Sequence, residues 1–301
     1  MGRKIRHLLE PDSLVEITCR VIQRRFLLTP SPTLNAIICG ALARAQKRHG
    51  MKVCGFVYLS NHCHLLLRPS STRQMAHFMR DVNYKISKEV GRLHGWEGPL
   101  WPRPYTDVQV SDEPEAQIST LRYLLSQGCK EGLVASPKHW PGASSTKALL
   151  AGDEVEGLWI DRSAQYRAWE RKEPNPDELF TSAHRLQLSP IPCWEHLPPH
   201  QYRARLRAMV REIERQTEDL EVLGKKVICA QDPHSAPSSK PRRTPAPRFR
   251  AVDPQVRRAL EWSYRLFISA YRQASEALRQ GARVEFPEGC FAPGCYLPMQ
   301  T

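Results

Sequence analysis

Residues 52–69 read Lys52-Val-Cys-Gly-Phe-Val-Tyr58-Leu-Ser-Asn61-His62-Cys63-His64-Leu-Leu-Leu67-Arg68-Pro69. Two apolar runs separated by only a few residues predict a β-hairpin, whose second strand stops at the proline. Side chains two apart on a strand share a face, so His62 and His64 project together, roughly 7 Å apart along the strand. Cys63 points the opposite way. Two imidazoles held side by side can grip one divalent metal, and a metal there can polarise a phosphate or activate a nucleophile. The same pair also fits a half-exposed strand that binds nothing. The rest of the chain has to decide between them.

Working outward, Leu14–Val21 reads as a strand and residues 33–49 as a helix that Gly50 stops. After the hairpin, residues 72–94 make a longer helix that starts at Ser71 or Thr72 and ends before Gly95. Residues 105–110 then give a short strand, followed by a helix from about Pro114 to Cys129. The order β-α-β-β-α-β with a further helix predicts an α+β, ferredoxin-like (split βαβ) domain with an antiparallel sheet over residues 1–150. Fold alone says nothing about function. Beyond it the spacing predicts a helical accessory region at 151–231, with a charged helix at 199–223 that sets Leu206, Met209, Val210, Ile213 and Leu220 on one side. Residues 232–250 form a proline-rich basic linker containing Lys240, Arg242, Arg243, Arg248 and Arg250. Residues 251–301 hold a last helix at about 254–280 and a turn-rich tail. The extension is therefore expected to be mainly helical.

The 301 residues carry a net charge of +13, which points to an acidic partner, nucleic acid being the commonest for a basic protein. No segment approaches the ~20 apolar residues of a membrane span, and the charged N-terminus lacks the apolar core of a secretory signal. Nine cysteines, irregularly spaced and without a Cys-x-x-Cys pair, argue against a disulfide framework and a zinc ribbon. The chain reads as cytoplasmic and reduced, with no membrane partner. No glycine loop of the Walker or dinucleotide-binding type occurs, so no nucleotide cofactor is expected.

On the helix near 114–129, Tyr123 and Gln127 are four residues apart and predicted to share a face. A tyrosine hydroxyl beside a metal can attack a phosphodiester, and a glutamine oxygen can complete the shell of magnesium or manganese. A core tyrosine with its hydroxyl at the rim would give the same pattern.

Asn61-His62-Cys63-His64-Leu-Leu-Leu67, Tyr123 with Gln127, Glu131-Gly-Leu-Val134, and His139-Trp-Pro141 with Ser144-Ser145 occur in that order. Together they resemble the single-tyrosine HUH transposases, in particular the REP-associated tyrosine transposase branch, over about residues 12–148. Val15–Val21 with Gln23-Arg-Arg-Phe26, and Trp101-Pro-Arg-Pro-Tyr105, fit the same layout. The resemblance implies a metal-dependent, chromosome-associated endonuclease and strand transferase of bacterial type that acts on single-stranded or hairpin DNA. It implies that His62, His64 and Gln127 hold the divalent metal, magnesium or manganese, and that Tyr123 forms a 5′-phosphotyrosine link. It leaves a homodimer open. Three features depart from the family: Cys63 between the histidines, Gln127-Gly128 where the branch has Asn-Pro, and the long C-terminal half. The alternative is a domesticated, non-catalytic nucleic-acid-binding protein that keeps the fold.

For DNA contact the sequence offers Arg80, Lys85 and Lys88 on the long helix, beside Arg73 and Arg92, with Arg68, Arg103 and Tyr105 near the site in sequence. Trp96 and Trp101 are further candidates for stacking on unpaired bases. Tyr58, Tyr84 and Tyr105 are the rival nucleophiles. Tyr58 and Tyr84 have no amide side chain four residues on, and Gln109 lies four from Tyr105 on a strand, where that spacing gives no contact.

Overall fold

The computed structural model describes residues 5–238 and 247–292. Its first part runs β1 (Val15–Arg20), α1 (Pro32–His49), β2 (Lys52–Leu59), β3 (His62–Arg68), α2 (Thr72–His94), β4 (Thr106–Val110) and α3 (Pro114–Leu125). Local chemistry sets these boundaries. Ser31 and Ser71 each accept a hydrogen bond from a backbone amide of the first turn of α1 and α2. Gly50 and Gly95 close the same helices at φ 65° and 60°, a left-handed conformation that suits glycine.

The strands assemble in the order β2-β3-β1-β4, all antiparallel, as the ferredoxin-like reading requires. In the middle of this sheet β3 pairs His64 with Thr18 on one side and with Val57 on the other. Alternation along β3 then sorts its side chains. Cys63, Leu65 and Leu67 join the core under α1 and α2, with Ile17, Phe56 and Phe78. Leu66 joins the opposite core with Val57 and Leu59, beneath Leu121, Leu124 and Leu125 of α3. The two histidines share the face of Leu66, so the fold turns them toward α3.

The second part contains α4 (Thr146–Ala151), β5 (Val155–Ile160), α5 (Arg162–Glu170), β6 (Thr181–Leu186), α6 (Pro199–Gln216), α7 (Gly224–Cys229), β7 (Phe249–Arg250) and α8 (Pro254–Arg279). Between 151 and 231, where the sequence suggested helices alone, β5 and β6 pair as a two-stranded antiparallel sheet against α1, with α5 in the connection between them. A Cβ on Gly40 would sit 2.1 Å from the Leu158 carbonyl oxygen, and one on Gly157 2.0 Å from the Gly40 nitrogen. Two glycines thus allow backbone to meet backbone. α6 stops at Gln216, so Leu206, Met209, Val210 and Ile213 are buried as expected, while Leu220, beyond the helix, is exposed.

Around the free edge of β2 the segment 140–145 closes the sheet. Tyr58 N donates to Ala143 O at 2.9 Å, Trp140 Nε1 to Tyr58 O at 3.0 Å, and Phe56 N to Ser145 Oγ at 2.9 Å. At the other edge β7 adds a fifth strand, parallel to β4. Lys240, Arg242 and Arg243 of the basic linker lie outside the described residues, as does the tail beyond residue 292. Among the described residues no helix is long and apolar enough to cross a membrane.

Candidate active site

His62 and His64 lie with ring centres 5.2 Å apart at the mouth of a cleft of about 580 Å³. His64 is buried, and its Nδ1 donates to Glu16 Oε1 at 3.0 Å, with Thr18 Oγ1 at 3.3 Å. His62 Nδ1 donates to Asn61 Oδ1 at 2.7 Å. With both Nδ1 atoms donating, Nε2 is the nitrogen each ring has left to bind another group. Burial pushes the His62 imidazole down to about 3, helped by the charges of Arg20 and Lys130, so this ring is neutral at physiological pH. Glu16 is held below the usual carboxylate range. Burial acts to raise it, but the hydrogen bond from His64 and the charge of Arg250 prevail. A carboxylate behind a ligand imidazole is the usual way to fix its tautomer and orientation.

Tyr123 comes from α3, with its ring centre 5.5 Å from that of His64, in the same chain. Lys130 Nζ lies 4.0 Å from the centre of the tyrosine ring and the Arg250 guanidinium carbon 4.6 Å. Two cations against one aromatic ring hold that ring in place. Gln127 also lines the cleft, although α3 ends at Leu125 and leaves it in the following turn. Its Nε2 donates to Tyr123 O at 2.9 Å, which leaves the amide oxygen to accept from or bind another group. Gly128 has φ +86° and a Cβ there would meet the Trp140 ring at 3.2 Å. Proline is held near −65°, so this turn differs in kind from one built on Asn-Pro.

The donor chemistry fits a divalent metal: two imidazoles, each with its Nδ1 held, and an amide oxygen in one cleft. Among the described residues no cluster of three or more His, Cys, Asp or Glu side chains has metal-holding geometry. A complete shell would need Gln127 and oxygens brought by substrate or water.

The residues proposed for DNA contact divide sharply. Arg80, Lys88 and Arg103 are exposed, with Arg80 donating to Asp81 at 2.9 Å. Arg68 is buried, its Nη2 2.7 Å from both Asp12 and Glu195, so its charge is matched inside the protein. Lys85 is buried too, donating to Glu89 at 2.7 Å and to Ile160 O at 2.6 Å, where it ties α2 to β5. Arg162 from α5 completes that tie, 2.7 Å from Glu89. Tyr105 lies in the core with Arg6 3.7 Å above its ring, and Trp101 packs on the same core with Nε1 donating to Asn83 O at 3.1 Å. Tyr105 is thus buried, and Trp101 is only partly exposed. Of the rival nucleophiles, Tyr58 is buried, which holds its hydroxyl well above the ordinary tyrosine range, and Tyr84 is 65% exposed on α2. Neither lines the cleft.

The cleft instead takes its charge from residues the sequence did not single out: Arg20, Arg24 and Lys130, against the single lining carboxylate Glu131. Glu16 had left a trace in the sequence. In β1, Glu16, Thr18 and Arg20 are polar at alternate positions, and the β1–β3 register sets Thr18 opposite His64 and Arg20 opposite His62.

No protein-family model matches the chain, and no curated protein does. Among solved structures, the chain is similar to the REP-associated tyrosine transposase bound to a REP hairpin, at 16% identity and a TM-score of 0.42 over 50% of this chain and 86% of that one. It is also similar to a candidate transposase of Deinococcus radiodurans R1, at 17% identity and a TM-score of 0.28 over 40% of this chain and 93% of that one.

Proposed function

We propose that the protein is a transposase-type, metal-dependent single-strand DNA endonuclease and strand transferase in which Tyr123 is the nucleophile. The observation that carries this reading is the grouping of His62, His64 and Tyr123 in one cleft, with ring centres 5.2 and 5.5 Å apart and both imidazole Nε2 lone pairs available. Arg20, Arg24 and Lys130 around the cleft, and the net charge of +13, suit a polyanionic strand. Magnesium or manganese held by His62, His64 and Gln127 would neutralise charge on the scissile phosphate.

The chain's own residues supply the rest. Tyr123 gives up its hydroxyl proton to solvent, while Lys130 and Arg250 hold its ring in place. Its oxygen bonds to phosphorus as the bond to the 3′ oxygen breaks. That oxygen takes up a proton and leaves as a 3′ hydroxyl, while the 5′ phosphate stays on Tyr123. The new ester keeps the phosphodiester's energy, so rejoining needs no nucleotide.

The test is incubation with manganese and single-stranded DNA from the flanks of the protein's own gene. The expected product is a denaturant-resistant adduct on the peptide containing Leu121-Arg122-Tyr123. Tyr123→Phe keeps the ring but removes the attacking oxygen, so DNA binding should persist while adduct formation falls more than about 10³-fold. An adduct on Tyr84, or cleavage by the phenylalanine variant, would overturn the assignment. The altered turn at Gln127-Gly128 favours the second reading, a DNA-binding descendant without catalysis. DNA binding with no adduct from the parent protein would select it.

A further inference from the structure

The two residues of β7 do more than widen the sheet. Phe249 and Arg250 pair with Gln109 and Val110 of β4, and Ser111 N donates to Arg250 O at 2.9 Å. Just beyond, the amides of Val252 and Asp253 donate to the Glu113 carboxylate at 3.1 and 2.9 Å. Glu113 immediately precedes α3, the helix that carries Tyr123. One short segment from the C-terminal half thus joins the sheet edge to the start of that helix.

Arg250 sits at the centre of this junction. Its Nε and Nη2 both donate to Glu16 Oε2, at 2.7 and 2.6 Å, while the other oxygen of Glu16 accepts from His64 Nδ1. The same guanidinium lies against the Tyr123 ring. A planar, permanently charged group with two donors on one carboxylate fixes that carboxylate's orientation, which an ammonium cannot do as well. Lys130, the other cation on the tyrosine, forms its ion pair with Glu131 instead.

We propose that Arg250 is a positioning residue for the active site, acting through Glu16 to hold His64 in its Nδ1-protonated tautomer and through ring contact to hold Tyr123 beside it. The inference rests on the reading of His62, His64 and Tyr123 given above. It makes the C-terminal extension a working part of the site, whose key arginine arrives 234 residues after the glutamate it holds.

The test uses the full chain with Arg250→Met, which keeps the stem and removes the charge, and Arg250→Lys, which restores charge without the two-donor fork. Three quantities are read: the ¹⁵N tautomer signature of His64, manganese affinity by calorimetry, and the rate of adduct formation at saturating DNA. In the methionine variant His64 should become a mixture of tautomers, and manganese affinity and saturated rate should each fall about 10–100-fold. DNA affinity should stay within about twofold, since one of several charges is lost. Lysine should recover part of the rate. An unchanged His64 signature with unchanged manganese affinity would overturn the proposal, even if the variant melts earlier, because the residue would then serve stability alone. If Arg250→Met does not fold, Arg250→Gln is read in the same way. A parent protein that gives no adduct sinks the endonuclease reading, while the tautomer comparison still judges Arg250. A parent and a methionine variant that react equally sink Arg250 alone.

Discussion

The two ends of β3 treat positive charge in opposite ways. At its last residue, Arg68 is enclosed by Asp12 and Glu195, each 2.7 Å away, and by the Pro190 carbonyl at 3.2 Å. At its first residue, His62, the neighbouring cations Arg20, Arg24 and Lys130 line an open cleft with one carboxylate among them. Six residues of strand separate the ends by about 20 Å. A buried cation with matched carboxylates presents no field to a phosphate, whereas cations at a cleft mouth draw one in. Nearness in sequence to the histidine pair therefore does not make Arg68 part of the site. The partners its charge finds in the folded chain decide its role.

The largest effect expected from this contrast is at the histidine end. His62→Ala with His64→Ala should abolish DNA cleavage and erase the stabilisation by manganese, which for a working site is about 2.7 kcal/mol at a hundred times Kd. Because His64 is buried and hydrogen-bonded to Glu16, the double variant should also lose about 1–3 kcal/mol without metal. Thermal scans with and without manganese separate the two losses. Undiminished cleavage by the double variant would break the comparison at once.

A smaller effect is expected at the arginine end. Arg68→Met should cost stability, about 1–2 kcal/mol rather than the 3–5 of a fully buried pair, because Asp12 and Glu195 keep contact with water. Cleavage per folded molecule should not change. Hydrogen bonding to Arg68 holds the Glu195 carboxyl below the usual range; for Asp12 burial acts to raise it, but hydrogen bonds and charges from Lys52 and Arg68 hold it low. Carboxyls whose folded values are depressed contribute stability that is full above their unfolded values, about pH 4, and drains as the pH falls through the folded ones. Denaturant melts between pH 5 and pH 2.5 should show this loss in the parent and a shallower one in Arg68→Met. Parallel curves would show that the two carboxylates do not depend on Arg68.

The smallest effect sharpens the comparison without threatening it. Arg20→Gln should lower the slope of log affinity for single-stranded DNA against log salt by about 0.7, the value for one lost phosphate contact. Arg68→Met should leave that slope unchanged. Equal changes in both would mean that DNA reaches the far end of β3.

Local pattern carried the sequence reading a long way. The cap Ser71 and the closing glycines Gly50 and Gly95, all read from the sequence, bound α2 and the end of α1 as expected, because capping is chemistry between near neighbours. The β5–β6 strand pair escaped. Its identity rests on the fit of Gly157 against Gly40 of a distant helix, which no window along the chain contains. From the sequence Lys85 reads as a DNA-contact residue beside Arg80 and Lys88. Its face of α2 is covered by Ile160 from 75 residues later, and helical periodicity cannot foresee what will cover a face.

By itself, then, the sequence determined the order of strands and helices from β1 to α3, the placing of His62 and His64 on one face of a strand, and the position of Tyr123 on the helix after β4, since each follows from periodicity or spacing over a few residues. Only the tertiary structure decided which charges serve the site. Strand register set Glu16 behind His64, and a strand from the C-terminal half brought Arg250 to both Glu16 and Tyr123. The packing of distant segments took Arg68, Lys85 and Tyr105 out of reach of a ligand. A charge acts through what surrounds it, and those surroundings exist only once distant parts of the chain have met.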